Sequence, residues 1–185
     1  MQYLYEPMKA LGEAIFRPFQ EVPGLELKVS RIYRDARMHP ATPYKGKSVD
    51  LHPPPGGYVE PASGPLFLSF ARRAAAMGFL LWQPRPEAME RFRRDVTARP
   101  GYFPELLERA QSASGLGLTA QPYKRPKPCP DAALAPYFSW KGDLEAIAEV
   151  PAGPALFSPA LADQVGQTLE SWLPVSNYFY QLTDV

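Results

Sequence analysis

Cysteine is nearly absent: Cys129, set between Pro128 and Pro130, is the one thiol in 185 residues. A lone thiol excludes an intramolecular disulfide and leaves no pair for a cysteine-based zinc site, so a reducing cytoplasm is the expected setting. Histidine is almost as scarce. His39 and His52 stand in no His-x-x-x-His spacing, so both read as ordinary loop or strand residues and no metal site is expected. An excess of one charge is missing too. Twenty Lys and Arg against nineteen Asp and Glu leave a formal net charge of +1, which excludes a global field steering the chain toward nucleic acid or an anionic membrane. Long apolar runs are lacking: the longest, Ala74 to Trp82, is nine residues, and Glu6 and Lys9 stand where a signal peptide would need its apolar stretch. Neither membrane insertion nor export is expected. Ser63-Gly64 and Ser114-Gly115 lack the surroundings of a nucleophile elbow, and Gly56-Gly57 lacks the glycine spacing of a phosphate-binding loop. No nucleophile and no cofactor are therefore expected.

What the chain does have is proline, 23 residues, more than twice an average share of about 5%. So many fixed φ angles imply forced turns, short elements and stiff loops. An apolar share of 45% and a charged share of 21% are ordinary globular values, and no repeat or low-complexity stretch breaks the chain. The expectation is a single domain over residues 1–185, of α+β class, with a mostly antiparallel sheet packed by several helices.

Met8, Leu11, Ile15 and Phe19 recur at helical spacing and predict a helix from Tyr5 to Arg17 with Pro7 in its first turn. Alternation predicts a strand over Leu25–Tyr33, and the next strand candidates are Lys47–His52, Leu66–Ala71 and Met77–Trp82, separated by Pro53-Pro54-Pro55-Gly56-Gly57 and by the Arg72–Ala76 connection. Pro86 opens a helix ending at Pro100-Gly101, with Met89, Phe92 and Val96 inward and Glu87, Glu90, Arg91, Arg93 and Arg94 on the wet side. Pro104 opens another, through Leu106, Leu107 and Ala110 to Gly115 and Gly117. Gln121–Pro130 is extended, Asp131 caps a short helix to Phe138, and Leu144–Val150 is a strand. Ser158-Pro159 begins a long helix lined by Leu161, Val165, Leu169 and Trp172, which Pro174 is expected to kink or interrupt. Tyr58, Phe67, Phe70, Phe79 and Trp82, at strand positions, read as core rather than as a stacking platform.

The densest polar cluster follows the first strand. Arg31, Arg34, Asp35 and Arg37, then Tyr44 and Lys45, fall in a stretch from Leu25 to Asp50 that holds six cations (Lys28, Arg31, Arg34, Arg37, Lys45, Lys47) and three acids (Glu26, Asp35, Asp50). Guanidinium forks match carboxylate and phosphate oxygens, so one reading is an anion pocket. The other is architectural, with Asp35 accepting from two arginines and pinning the strand to the loop that follows. Both stand on the residues alone.

These residues resemble a bacterial family of conserved hypothetical proteins of unknown function, marked by Arg-x-x-Arg-Asp-x-Arg-Phe and, after a short gap, Lys-x-Pro-Tyr-Lys. Arg31, Arg34, Asp35 and Arg37 fill the first half, and Pro43, Tyr44 and Lys45 the end of the second. Met38 replaces the family's Phe, and the connection is one residue short, with Thr42 before the proline and the intervening Lys missing. The resemblance continues through Gly78–Pro84, the Pro86 helix, Lys124-Arg125-Pro126, Trp140-Lys141 and the Ser158-Pro159 helix. It implies no reaction that can be carried onto these positions. Relatives begin with a further helical segment, so the amino terminus reads as shortened, and an exposed Leu4 and Met8 would then favour a homo-oligomer.

Three function classes follow. The first is a protein that binds an anionic small molecule through Arg31, Arg34, Arg37, Tyr44 and Lys45, with or without catalysis. The second is a nucleic-acid-binding module that joins this cluster to Lys124, Arg125 and Lys127 as one basic stripe, although Tyr123–Lys127 taken alone reads as a solvated surface loop. The third is a scaffold without chemistry.

Overall fold

Short apolar segments between proline, glycine and arginine commit the middle of the chain to a sheet, and helical stripes before and after it in sequence supply its cover. The computed structural model describes residues 2–23, 25–30, 47–52, 66–71 and 73–183. Among them are α1 (Gln2–Phe16), β1 (Glu26–Val29), β2 (Lys47–His52), β3 (Leu66–Phe70), β4 (Ala74–Leu81), α2 (Pro86–Ala98) and α3 (Tyr102–Ser114), followed by β5 (Thr119–Pro122), α4 (Ala135–Ser139), β6 (Trp140–Pro151) and α5 (Ala160–Thr183). The six strands form one antiparallel sheet in the order β1-β2-β3-β4-β6-β5. The fold is α+β.

The register puts the apolar set on one face, since Val49 pairs with Leu68 and Leu68 with Met77, while Leu51 pairs with Leu66 and Leu66 with Phe79. All six are buried. Helix α1 packs over β1 and β2, and α5 over β3 and β4, where the Trp172 ring stacks on Phe79 at 5.7 Å. Gly78 is required where β4 meets β6. Its φ is +145°, and a Cβ there would lie 2.0 Å from the carbonyl oxygen of Ala146.

Beside the sheet end, Phe92 gathers a second set of aromatics. It meets Phe103 edge-on at 5.0 Å, Trp140 in parallel at 5.7 Å, and Phe179 at 5.3 Å, so α2, α3, β6 and α5 share one apolar junction. Ser114 locks its flank: its hydroxyl donates to the Ala110 carbonyl (2.7 Å) and accepts from the Trp172 indole N–H (3.0 Å) and the Leu116 amide (3.2 Å). That serine closes a helix.

Several expectations are corrected. Helix α1 begins at Gln2, which moves Pro7 from the first turn into the interior, and Met8 is buried rather than exposed. Strand β4 starts three residues early and β6 four residues early, while Thr119–Pro122 pairs as an edge strand before the extended segment begins. An edge position suits Pro122, which has no N–H to give. Pro174 does not interrupt α5, because Pro174 and Glu170, the residue whose carbonyl loses its donor, both stand on the exposed side while Trp172, Val175, Tyr178 and Phe179 hold the buried side. Arg93, expected in water, is 3% exposed. Phe67 and Phe79 are buried and Phe70 half-buried, but Trp82, just past the last β4 pair, is 52% exposed, and Tyr58 lies outside the described residues. Residues 31–33, the end of the first expected strand, also lie outside them.

Candidate functional site

Arg31, Arg34, Asp35, Arg37, Tyr44 and Lys45 all lie outside the described residues, as does His39; their anchors do not. The Ser30 amide donates to the Ser48 carbonyl at 2.9 Å, and the Ser48 amide donates to Ser30 Oγ at 2.9 Å. Both ends of the cationic segment are thereby held side by side on neighbouring strands. The same end of the sheet carries the β3–β4 turn with exposed Arg73, whose carbonyl accepts the Ala152 amide at 2.9 Å.

A second cationic surface lies at the diagonally opposite corner. There Gln121 to Arg125 and Lys141 line an open depression of about 560 Å³. The antiparallel pairing of Gln121 with Gly142 and Pro122 with Trp140 brings the two segments together, and the Tyr123 amide extends the ladder to the Ser139 carbonyl at 2.7 Å. Behind the wall, Arg93 donates to Glu90 Oε1 (2.9 Å) and to the Trp140 carbonyl (3.3 Å), tying α2 to the start of β6. Lys127 bonds the same Glu90 oxygen, and both cations stand over the Tyr123 ring, at 5.8 Å for Arg93 and 5.6 Å for Lys127.

Hydrogen bonds from Arg93 and then Lys127 hold the Glu90 carboxyl at about 2, below its ordinary 4.5. Its stabilising contribution is therefore whole above about pH 4.5 and is lost as the pH falls toward 2. Glu90 is half-exposed, so screening leaves about 1 kcal/mol. Denaturant titrations at pH 5 and pH 2.5 should show Glu90→Gln less stable than wild type by that amount at pH 5, with the gap closing at pH 2.5. A gap independent of pH would mean that shape rather than charge does the work.

A third polar group is structural. The Tyr178 hydroxyl donates to Asp95 Oδ2 at 2.7 Å, Arg99 closes on Oδ1 at 2.7 Å, and the Arg99 guanidinium covers the Tyr102 ring at 4.3 Å. Burial and the Asp95 carboxylate push the Tyr178 phenol far above its usual range. It therefore stays protonated and pins α5 to α2.

The second surface escaped sequence reading in part. Lys124, Arg125 and Lys127 were visible as a basic stretch, whereas Lys141 joins them only through strand pairing and Arg93 only through burial. Among the described residues, no three His, Cys, Asp or Glu side chains form a group able to hold a metal ion, and no helix is long and apolar enough to cross a membrane. Fold and surface together define a single-sheet α+β protein with an open cationic depression at one sheet corner. The chain belongs to the conserved hypothetical protein family DUF2461, whose profile matches residues 1–178. Neither a curated protein nor a solved structure matches it.

Proposed function

We propose that this protein binds an anionic small molecule, a phosphate or carboxylate, on the segment between β1 and β2. Arg31, Arg34, Arg37 and Lys45 supply the charge, Tyr44 a hydroxyl donor, and Asp35 holds the guanidinium groups in register. The observation that supports this most is the pair of serine hydrogen bonds closing the base of the segment, joined to its excess of cations. Fixing both ends lowers the entropy cost of ordering the arginines around a ligand.

A continuous nucleic-acid stripe would have to bridge two separated anchors. Ser30, the first anchor of the segment, follows edge strand β1 and Lys124 follows edge strand β5, five strand spacings or about 24 Å apart and at opposite strand ends. Lys127 is already paired with Glu90.

Calorimetric titration with inorganic phosphate and with a small dicarboxylate should show saturable binding that Arg31→Ala and Arg34→Ala each weaken at least about tenfold, the loss of one charge-assisted contact. Asp35→Asn should lower the melting temperature clearly while Lys45→Ala changes it little. If the arginine variants lose stability and the wild type binds neither anion, the cluster is architectural and the proposal fails. Tight oligonucleotide binding with a steep salt dependence would replace it with the nucleic-acid reading.

A further inference from the structure

The depression at the β5–β6 corner holds more positive charge than the fold uses. Three cations line it, Lys124, Arg125 and Lys141, and two more, Arg93 and Lys127, stand over the ring of Tyr123 in its wall. Glu90 engages Arg93 and Lys127. Lys124, Arg125 and Lys141 are exposed and form no ion pair with an acid among the described residues.

The acids nearby in sequence bond neutral donors and pair with none of these three cations. Asp131 Oδ1 accepts the Ala133 amide at 2.9 Å as a helix cap, and Asp143 Oδ1 accepts the Gln83 amide at 2.8 Å. Glu145 lies further along β6, where it accepts from the Thr119 hydroxyl at 3.4 Å. Crowding three like charges on one concavity costs stability unless something neutralises them.

The wall that carries them is stiff. Arg93 and Lys127 both stand over the Tyr123 ring, its amide is fixed to Ser139, and Pro122, Pro126, Pro128 and Pro130 restrict the backbone on either side. Such a wall loses little freedom when a ligand arrives.

We infer that this depression is an anion site separate from the β1–β2 segment, and that it takes a compact polyanion of the diphosphate type. A monoanion would neutralise one of the three cations and leave two in repulsion. A diphosphate offers several oxygens within a few ångströms, one pair for the planar fork of Arg125 and the rest for the point charges of Lys124 and Lys141.

The test is titration of ¹⁵N-labelled full-length protein with inorganic pyrophosphate, followed by amide shifts. Saturable shifts should concentrate at Tyr123–Arg125 and Lys141, and the triple variant Lys124→Ala/Arg125→Ala/Lys141→Ala should weaken binding at least tenfold. Arg31→Ala/Arg34→Ala should leave these shifts intact, so failure of the β1–β2 proposal and failure of this one are read separately. Each single alanine change guards against misfolding of the triple variant and should weaken binding in part. Unchanged binding in the triple variant overturns the inference. So does an oligonucleotide that shifts the same amides at lower concentration than pyrophosphate, which would make the depression a stop on a nucleic-acid backbone.

Discussion

Gly78→Ala should destabilise the protein by about 3 kcal/mol or more, at or above the top of the usual overpacking range, and lower its melting temperature by about 10 °C. The new Cβ would meet the Ala146 carbonyl oxygen at 2.0 Å, and that atom belongs to the backbone of the central β4–β6 pair, so no side-chain rotation relieves the clash. The φ of +145° adds strain for any L side chain. Thermal unfolding beside Gly117→Ala supplies the control, since a Cβ at Gly117 meets nothing within 4 Å and should shift stability by less than about 0.5 kcal/mol. Equal melting temperatures for the two variants would mean that β4 and β6 do not approach as described.

Phe92→Ala should cost at least as much, about 3 to 5 kcal/mol by the usual range for buried aromatics, read as a lower denaturant midpoint at unchanged slope. Its ring is fully buried and touches Phe103, Trp140 and Phe179, so truncation opens a cavity that three rigid rings cannot collapse into. Phe157→Ala is the counterpart: that ring is 88% exposed, and its removal should leave stability almost unchanged. Chemical unfolding of both variants checks the contrast. A small loss for Phe92→Ala would show that the junction of α2, α3, β6 and α5 is looser than its ring geometry implies.

The parts of the fold legible in the sequence are those in which a side chain's polarity reports its burial. Met89, Phe92 and Val96 repeat at helical spacing because one face of α2 is buried, and Val49 and Leu51 alternate because one face of β2 is buried. Arg93 defeats that logic, since its charge says water while Glu90 and the Trp140 carbonyl satisfy it indoors. Strand β5 defeats it differently. Four residues on a sheet edge, mostly exposed, carry no period of their own, and pairing with β6 makes them a strand. Pro7 reads as a first-turn proline and Pro174 as a kink or interruption, yet both lie inside continuous helices, where packing of the opposite face outweighs the lost hydrogen bond. The corner depression needed Lys141 to be brought beside Lys124 across a strand pair, and no window along the chain holds both in register.

Strands β1 to β4 pair with their neighbours in sequence and α1 covers the first two, but the apolar face of β3 and β4 is sealed from much further along the chain. Leu66, Leu68, Met77 and Phe79 are laid down early, and the surface that seals β3 and β4 comes from α5, some eighty residues further along. During synthesis at about 5 to 20 residues per second, the meander β1–β4 must wait several seconds with that face unprotected. Trp172 is thus a closing piece in time as well as in space, and its late arrival makes the interval before it the period in which a partly made chain is most exposed to aggregation.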